Sequence, residues 1–292
     1  MRCLVTGAGG QLATELVRRA PAGHDVQAMD IDMLDITDRA AVLSCIEDLR
    51  PGVVFNAAAW ADVDAAEADE DAALAVNRDG PAYLSEACSH HGARLVHVST
   101  DFVFDGMGSR PCRIDDTPSP LGVYGQSKLA GEQAVLECLG DAALVVRTAW
   151  LYSAHGQNFV RTMLGLMMQG DHLKVVADQR GTPTAASSLA GVLWELVDLN
   201  AGGLLHWTDG GEATWHEFAE FIRDTARQQG LLDHDVVIDP IPSTEWPTRA
   251  QRPTYTVLDI TVTEDLLKRS PRPWREEVAD VVGELATVGE LG

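Results

Sequence analysis

Tyr124 and Lys128 form a Tyr-x-x-x-Lys pair. In a 292-residue chain with four tyrosines and three lysines, chance supplies only roughly 0.04 such pairs. On a helix, side chains four apart share one face. The pairing suits hydride chemistry, because a ketone that accepts a hydride becomes an alkoxide and needs a proton. A phenol, with a pKa of about 10, is a poor acid near neutrality. A neighbouring ammonium stabilises the phenolate and lowers that value. Ser99-Thr100-Asp101 closes an apolar run upstream of this pair. A hydroxyl at that point is placed to donate to the substrate oxygen and help hold the developing anion.

A second constellation suits a dinucleotide. Thr6-Gly7-Ala8-Gly9-Gly10-Gln11-Leu12-Ala13 follows the first apolar run directly. Gly7 permits a tight turn, Gly10 lets backbone approach a pyrophosphate, and a small Ala13 lets the next helix pack closely. The helix start then offers free N–H groups to phosphates. Asp30 ends the second apolar run, with Asp32 and Asp35 close behind. An acid there accepts hydrogen bonds from the adenosine ribose and repels a 2′-phosphate. No Arg or Lys immediately follows it, which favours NADH or a site tolerant of both cofactors. Lys128 is placed to hold the nicotinamide ribose, and the small residues of Asn56-Ala57-Ala58-Ala59 to pass close to the cofactor.

Positioning these groups takes alternating strands and helices. Strands are expected at 2–6, 25–30, 53–55, 94–99 and 143–147. Helices are expected at 10–20, from Thr37 or Asp38 to Leu49, over 63–91, and from near Tyr124 to Leu139. Continuous apolar strands between helices mean an α/β fold, a doubly wound parallel sheet of Rossmann type. Residues 1–150 read as the dinucleotide-binding domain and 151–292 as a smaller α/β substrate lobe, with later segments free to return to the sheet. In that lobe helices are expected at 158–169, 187–199, 215–229 and 273–286, and strands at 173–177, 204–207 and 236–238. The proline-rich stretch 240–253 should be irregular.

Composition narrows the partners. A net charge of −22 disfavours nucleic acid and anionic membranes. Five scattered cysteines without a CxxC pair read as buried thiols of a reduced, cytoplasmic protein. The N-terminus begins a strand without a signal-peptide pattern, and no apolar stretch reaches about 18 residues. His90-His91 reads as an exposed helix end, Asp62 to Asp71 as a solvated face, and Trp207, Trp215 and Trp246 as packing residues more than sugar contacts. No metal ligands converge by spacing.

These motifs resemble the extended short-chain dehydrogenases and, more narrowly, the dTDP-4-dehydrorhamnose reductase family. The likeness extends through Asn56 to Trp60, Ser99 to Gly106, Tyr124 to Glu132, Arg147 to Tyr152, Asn158 to Val160, Asp178 to Thr184, and Arg252-Pro253. It implies reduction of the 4-keto group of a dTDP-activated 6-deoxyhexulose by NADPH or NADH. It implies Thr100, Tyr124 and Lys128 as the catalytic set. Cofactor contacts would come from Gly7, Gly10, Gln11, Leu12, Asp30, Asp35, Ile36, Ala59, Trp60 and Lys128. Thr100, Asp101, Phe102, Tyr124 and Trp150 would border the sugar. Some members bind Mg2+ between subunits; the resemblance does not place such ligands here, and a homodimer is compatible with it. Phe102 replaces the usual Tyr, Ala61 a common Thr, and Ala13 the usual third glycine, which leaves the exact sugar open. Three alternatives remain: a related 4-ketoreductase of antibiotic deoxysugar assembly, a dehydratase or epimerase sharing the first domain, and a non-catalytic subunit resembling the regulatory subunit of methionine adenosyltransferase. Intact Thr100, Tyr124 and Lys128 argue against the last, and Phe102, unable to transfer a proton, against a dehydratase.

Overall fold

The computed structural model describes residues 1–288. The last four residues of the expected C-terminal lobe, 289–292, lie outside the described residues. In chain order the strands are β1 (Arg2–Thr6), β2 (Asp25–Met29), β3 (Val53–Asn56), β4 (Arg94–Thr100), β5 (Ala143–Thr148), β6 (Leu151–Tyr152), β7 (His172–Val176), β8 (Arg180–Gly181), β9 (Thr184–Ala185), β10 (Gly203–His206), β11 (Ala213–Thr214) and β12 (Val237–Ile241). The α-helices are α1 (Gln11–Arg18), α2 (Arg39–Leu49), α3 (Val63–Ala66), α4 (Glu70–Leu74), α5 (Gly80–His91), α6 (Val123–Leu139), α7 (Phe159–Gln169), α8 (Ala186–Asp198), α9 (Trp215–Gln228), α10 (Thr261–Leu267) and α11 (Trp274–Val288).

Six strands pair in parallel in the order β10-β5-β4-β3-β1-β2. The chain winds outward in both directions from β1 and β3, and ligands bind beyond the carboxyl ends of strands at such a switch point. Both sheet faces are covered, which is why β3 and β5 are buried along their whole length. Cys3, Val5, Phe55, Val96 and Val146 pack under α1 and α8 on one face. Leu4, Val54, Leu95 and Val145 pack under α2, α5 and α6 on the other. In α1, Leu12 and Leu16 point into the core, while Val17 is turned outward and exposed.

The expected border at residue 150 is crossed again later in the chain. α8 packs on α1, and β10 joins the large sheet beside β5, so 186–206 return to the first unit. The remaining lobe has its own core, with Phe218 and Ile222 of α9 and Val278 and Val282 of α11 around the small parallel pair of β7 and β12.

Two expectations change. The stretch 240–253 is not irregular throughout, because Pro240 sits inside β12 opposite Val175. A two-stranded pair has a free edge, and there a residue without an N–H costs no ladder bond. The helical stretch 63–91 is broken after Ala66, and its second part contains a π-turn at Ala75–Asp79. Trp207 is fully buried, and His90 and His91 lie exposed in the last turn of α5. All five cysteines are free; Cys3, Cys88 and Cys112 are buried, Cys45 is half-buried and Cys138 is exposed. No helix among the described residues is long and apolar enough to cross a membrane.

Candidate active site

The glycine turn sits between β1 and α1. Gly7 has φ +76°, and a Cβ there would lie 2.8 Å from the Ala58 backbone that follows β3. Glycine at this position therefore lets two strand ends meet at the switch point. The N-cap of α1 is Gly10, with no side-chain cap and no acid in the first turn. Its N–H groups stay open to an anion even in this acidic chain. Ala13 is buried where the helix meets the sheet. These features fit a dinucleotide pyrophosphate.

The other expected cofactor residues fall into different settings. Asp30 Oδ1 accepts from the Met33 amide at 3.0 Å. Asp35 Oδ1 accepts from both the amide (2.9 Å) and hydroxyl (2.8 Å) of Thr37. Leu12 and Ile36 are each only 5% exposed and belong to the core, leaving little but backbone for a ligand. Gln11 is tied to the second lobe, donating to the Gln157 carbonyl and accepting from the Ser153 hydroxyl at 3.2 Å. Ala59 is exposed, and Trp60 is pinned through its backbone by Asn77, whose side chain meets the Trp60 amide (2.9 Å) and carbonyl (3.0 Å). Asn77 belongs to the π-turn and also donates to Ser127 Oγ of α6 at 3.0 Å. It joins the loop after β3 to the helix of Tyr124, a role that no spacing pattern announced.

Thr100 ends β4 and Tyr124 lies in the first turn of α6. Gly125 allows their approach, since a Cβ there would lie 2.3 Å from the Phe102 carbonyl. The start of α6 lacks a side-chain cap of its own, and Glu67 accepts the Val123 amide at 2.7 Å instead. Phe102 packs edge-on against Tyr124, with ring centroids 5.6 Å apart. Thr100 Oγ1 donates to Asp101 at 3.1 Å and accepts from the Phe102 amide at 3.2 Å.

The electrostatics correct one expectation. The Tyr124 phenol is not lowered; burial pushes it up to about 12, the Thr100 hydroxyl opposing and Asp101 reinforcing the rise. Lys128 is buried, and its Nζ donates to the Val98 carbonyl at 2.7 Å. Burial lowers Lys128 to about 8, opposed by Glu132. Asp101 is raised to about 6 by burial, with hydrogen bonds from Thr256 and Thr100 in opposition. The phenol is thus fully protonated near neutrality, the state that a reduction consumes.

A cavity of about 750 Å³ opens beside this group, with Phe102, Trp150, Lys174, Arg180, Trp215 and Trp246 among its walls. Trp150 has a left-handed backbone (φ 47°), and its indole stacks on Trp215 with centroids 3.5 Å apart and planes at 9°. Trp215 packs against the core of the second lobe, as expected, and also lines the cavity, while the exposed Trp246 lines it as well. Trp215 opens α9 behind a capping box made by Thr214 and Glu217, which fixes where its ring emerges. Arg252 also lines the cavity and is held by Asp64. Among the described residues no group of three or more His, Cys, Asp or Glu side chains gathers to hold a metal ion.

A parallel doubly wound sheet with this glycine turn, and a Tyr-x-x-x-Lys helix at its carboxyl edge, defines a nicotinamide-dependent oxidoreductase of the short-chain dehydrogenase type. Residues 1–287 match the family described as RmlD substrate binding domain, and the chain belongs to that family. It is 38% identical to a dTDP-4-dehydrorhamnose reductase of Aggregatibacter actinomycetemcomitans, over 96% of this chain and 98% of the relative. It is 44% identical to a dTDP-4-keto-6-deoxy-D-glucose reductase of Streptomyces niveus, over 88% of each. The crystal structure of a Bacillus anthracis dTDP-4-dehydrorhamnose reductase in complex with NADP superposes with a TM-score of 0.92 at 33% identity, covering 97% of this chain and 99% of that one.

Proposed function

We propose that the chain reduces the 4-keto group of a dTDP-activated 6-deoxyhexulose with NADPH or NADH, converting dTDP-4-dehydro-L-rhamnose to dTDP-L-rhamnose. The observation that supports this reading is Thr100 at the end of β4 with Tyr124 and Lys128 on one face of α6, next to a cavity of about 750 Å³ that has Phe102 in its wall. The full-length likeness to named reductases of such sugars supports the substrate class.

The Gly7–Gly10 turn and the open start of α1 would hold the dinucleotide phosphates, with Asp30 at the adenosine ribose. A bound reduced nicotinamide supplies the hydride. Tyr124 passes its phenolic proton to the oxygen at C4, turning the ketone into an alcohol. Thr100 holds that oxygen, and Lys128 places positive charge beside the phenolate left behind. Trp150, Phe102 and Asp101 border the sugar.

The test is an assay with dTDP-4-keto-6-deoxyglucose, with and without a 3,5-epimerase, following NADH and NADPH oxidation separately. Nucleotide-sugar products are then identified. Oxidation that requires the epimerase supports the rhamnose reaction. Oxidation without it favours a related 4-ketoreductase, and none with either substrate refutes the reductase.

A further inference from the structure

Glu132 stands one turn beyond Lys128 and two beyond Tyr124, so the three residues form one stripe along α6. Its carboxylate receives Nε and a terminal nitrogen of Arg147 at 2.9 and 2.7 Å, and the hydroxyl of Ser99. Both side chains of the ion pair are only 2% exposed. Arg147 comes from β5 and Ser99 from β4, so the carboxylate fastens α6 to two central strands. Beyond the pair, Phe104 lies under the guanidinium and His206 faces it at 3.5 Å.

A buried ion pair is a weak source of stability, because apolar residues of similar volume commonly serve as well. Its position suggests another use. The charged and titratable groups around Lys128 are few. His97 faces it from β4, held by burial well below its ordinary range and therefore neutral. Its Nδ1 meets Asn56, and its Nε2 has no partner. On α6 itself lie Tyr124 and Glu132, the latter paired with Arg147. Asp101 acts on Tyr124. Glu132 is the carboxylate on the Lys128 side.

We propose that Glu132, clamped by Ser99 and Arg147 one turn from Lys128, is a positioning residue that keeps Lys128 charged on the helix face it shares with Tyr124, and so sets the alkaline limit of the reduction. This rests on the reductase reading above. The carboxylate opposes the burial that brings Lys128 down to about 8. Without it the amine would lose its proton at lower pH, and the phenolate formed in turnover would lose its neighbouring positive charge.

The small number of lysines makes the test direct. The full chain is labelled with lysine carrying 13C at Cε, and the three signals are titrated. Lys174→Arg and Lys268→Arg leave the Lys128 signal assigned. Glu132→Gln should lower the Lys128 midpoint by about one pH unit or more, and move the alkaline limb of kcat by the same amount. NADH affinity at pH 6 should stay within about twofold. Glu132→Gln strands the Arg147 charge and risks misfolding. Glu132→Gln combined with Arg147→Met removes both charges and should move the midpoint in the same direction. An unmoved Lys128 midpoint in the folded variants overturns the proposal, as does a kcat that falls equally at every pH. A wild type whose Lys128 titrates as expected but which reduces no keto sugar overturns the reductase reading instead, so the two failures are distinguishable.

Discussion

The indoles of Trp150 and Trp215 lie face to face, 3.5 Å between centroids, although one follows the central strand β5 and the other opens a helix of the second lobe. One face of Trp150 is thereby occupied by protein, and its plane is set by where α9 begins. Trp215→Ala should free that plane. The expected result is a KM for the sugar nucleotide raised by roughly tenfold, with the NADH dissociation constant unchanged. Steady-state kinetics and cofactor titration by fluorescence check it.

Tyr124→Phe removes the proton and keeps the ring against Phe102. Turnover should fall by about 10²-fold or more, while cofactor binding persists. Near-normal turnover in this variant would end the assignment of Tyr124 as the acid.

Gly7→Ala places a methyl 2.8 Å from the Ala58 backbone at a left-handed φ of +76°. Strain of this kind costs about 1–3 kcal/mol. The displaced turn should also weaken NADH binding by at least about tenfold. Urea denaturation and calorimetry report the two effects separately.

Asp30→Ser removes the acid at the expected adenosine ribose position, which no Arg or Lys immediately follows in the chain. The ratio of NADPH to NADH affinity should rise by roughly tenfold. An unchanged ratio would place the ribose elsewhere.

Asp209 is 1% exposed, and burial raises its carboxyl from 3.8 to about 7, with hydrogen bonds from Ser188 and the Ala185 amide in opposition. Between those values the folded chain binds more protons than the unfolded chain, so stability falls as pH rises through that window. Asp209→Asn keeps an acceptor for the Ala185 amide and cannot ionise. From pH 5 to pH 8 the wild type should lose stability relative to this variant, by at most ~3 kcal/mol. Urea midpoints at the two pH values measure the difference.

Much of this molecule was legible in the sequence, for local reasons. β1, β3, β4 and β5 are short apolar runs bounded by turn residues, and that pattern serves only strands covered on both faces. Asp38 is one of the two expected starts of α2, and its side chain does cap that helix, accepting from the Ala40 and Ala41 amides. Tyr124 and Lys128 were legible because the period of a helix alone puts them on one face. The contacts of Asn77, Glu132 and Trp215 are not legible there, since each acts on a partner far away in the chain: Trp60 and Ser127, Arg147 and Ser99, and Trp150.

The sequence by itself determined the alternation of elements, the glycine turn and the shared face of the phenol and the amine, because these depend on residues within a few turns of one another. The tertiary structure decided which way each charge shifts. Burial raises Tyr124 and lowers Lys128, and burial is a property of everything packed around a group. It also decided that 186–206 return to the first sheet and that three tryptophans line one cavity, because strand pairing and cavity walls join residues that no local period connects.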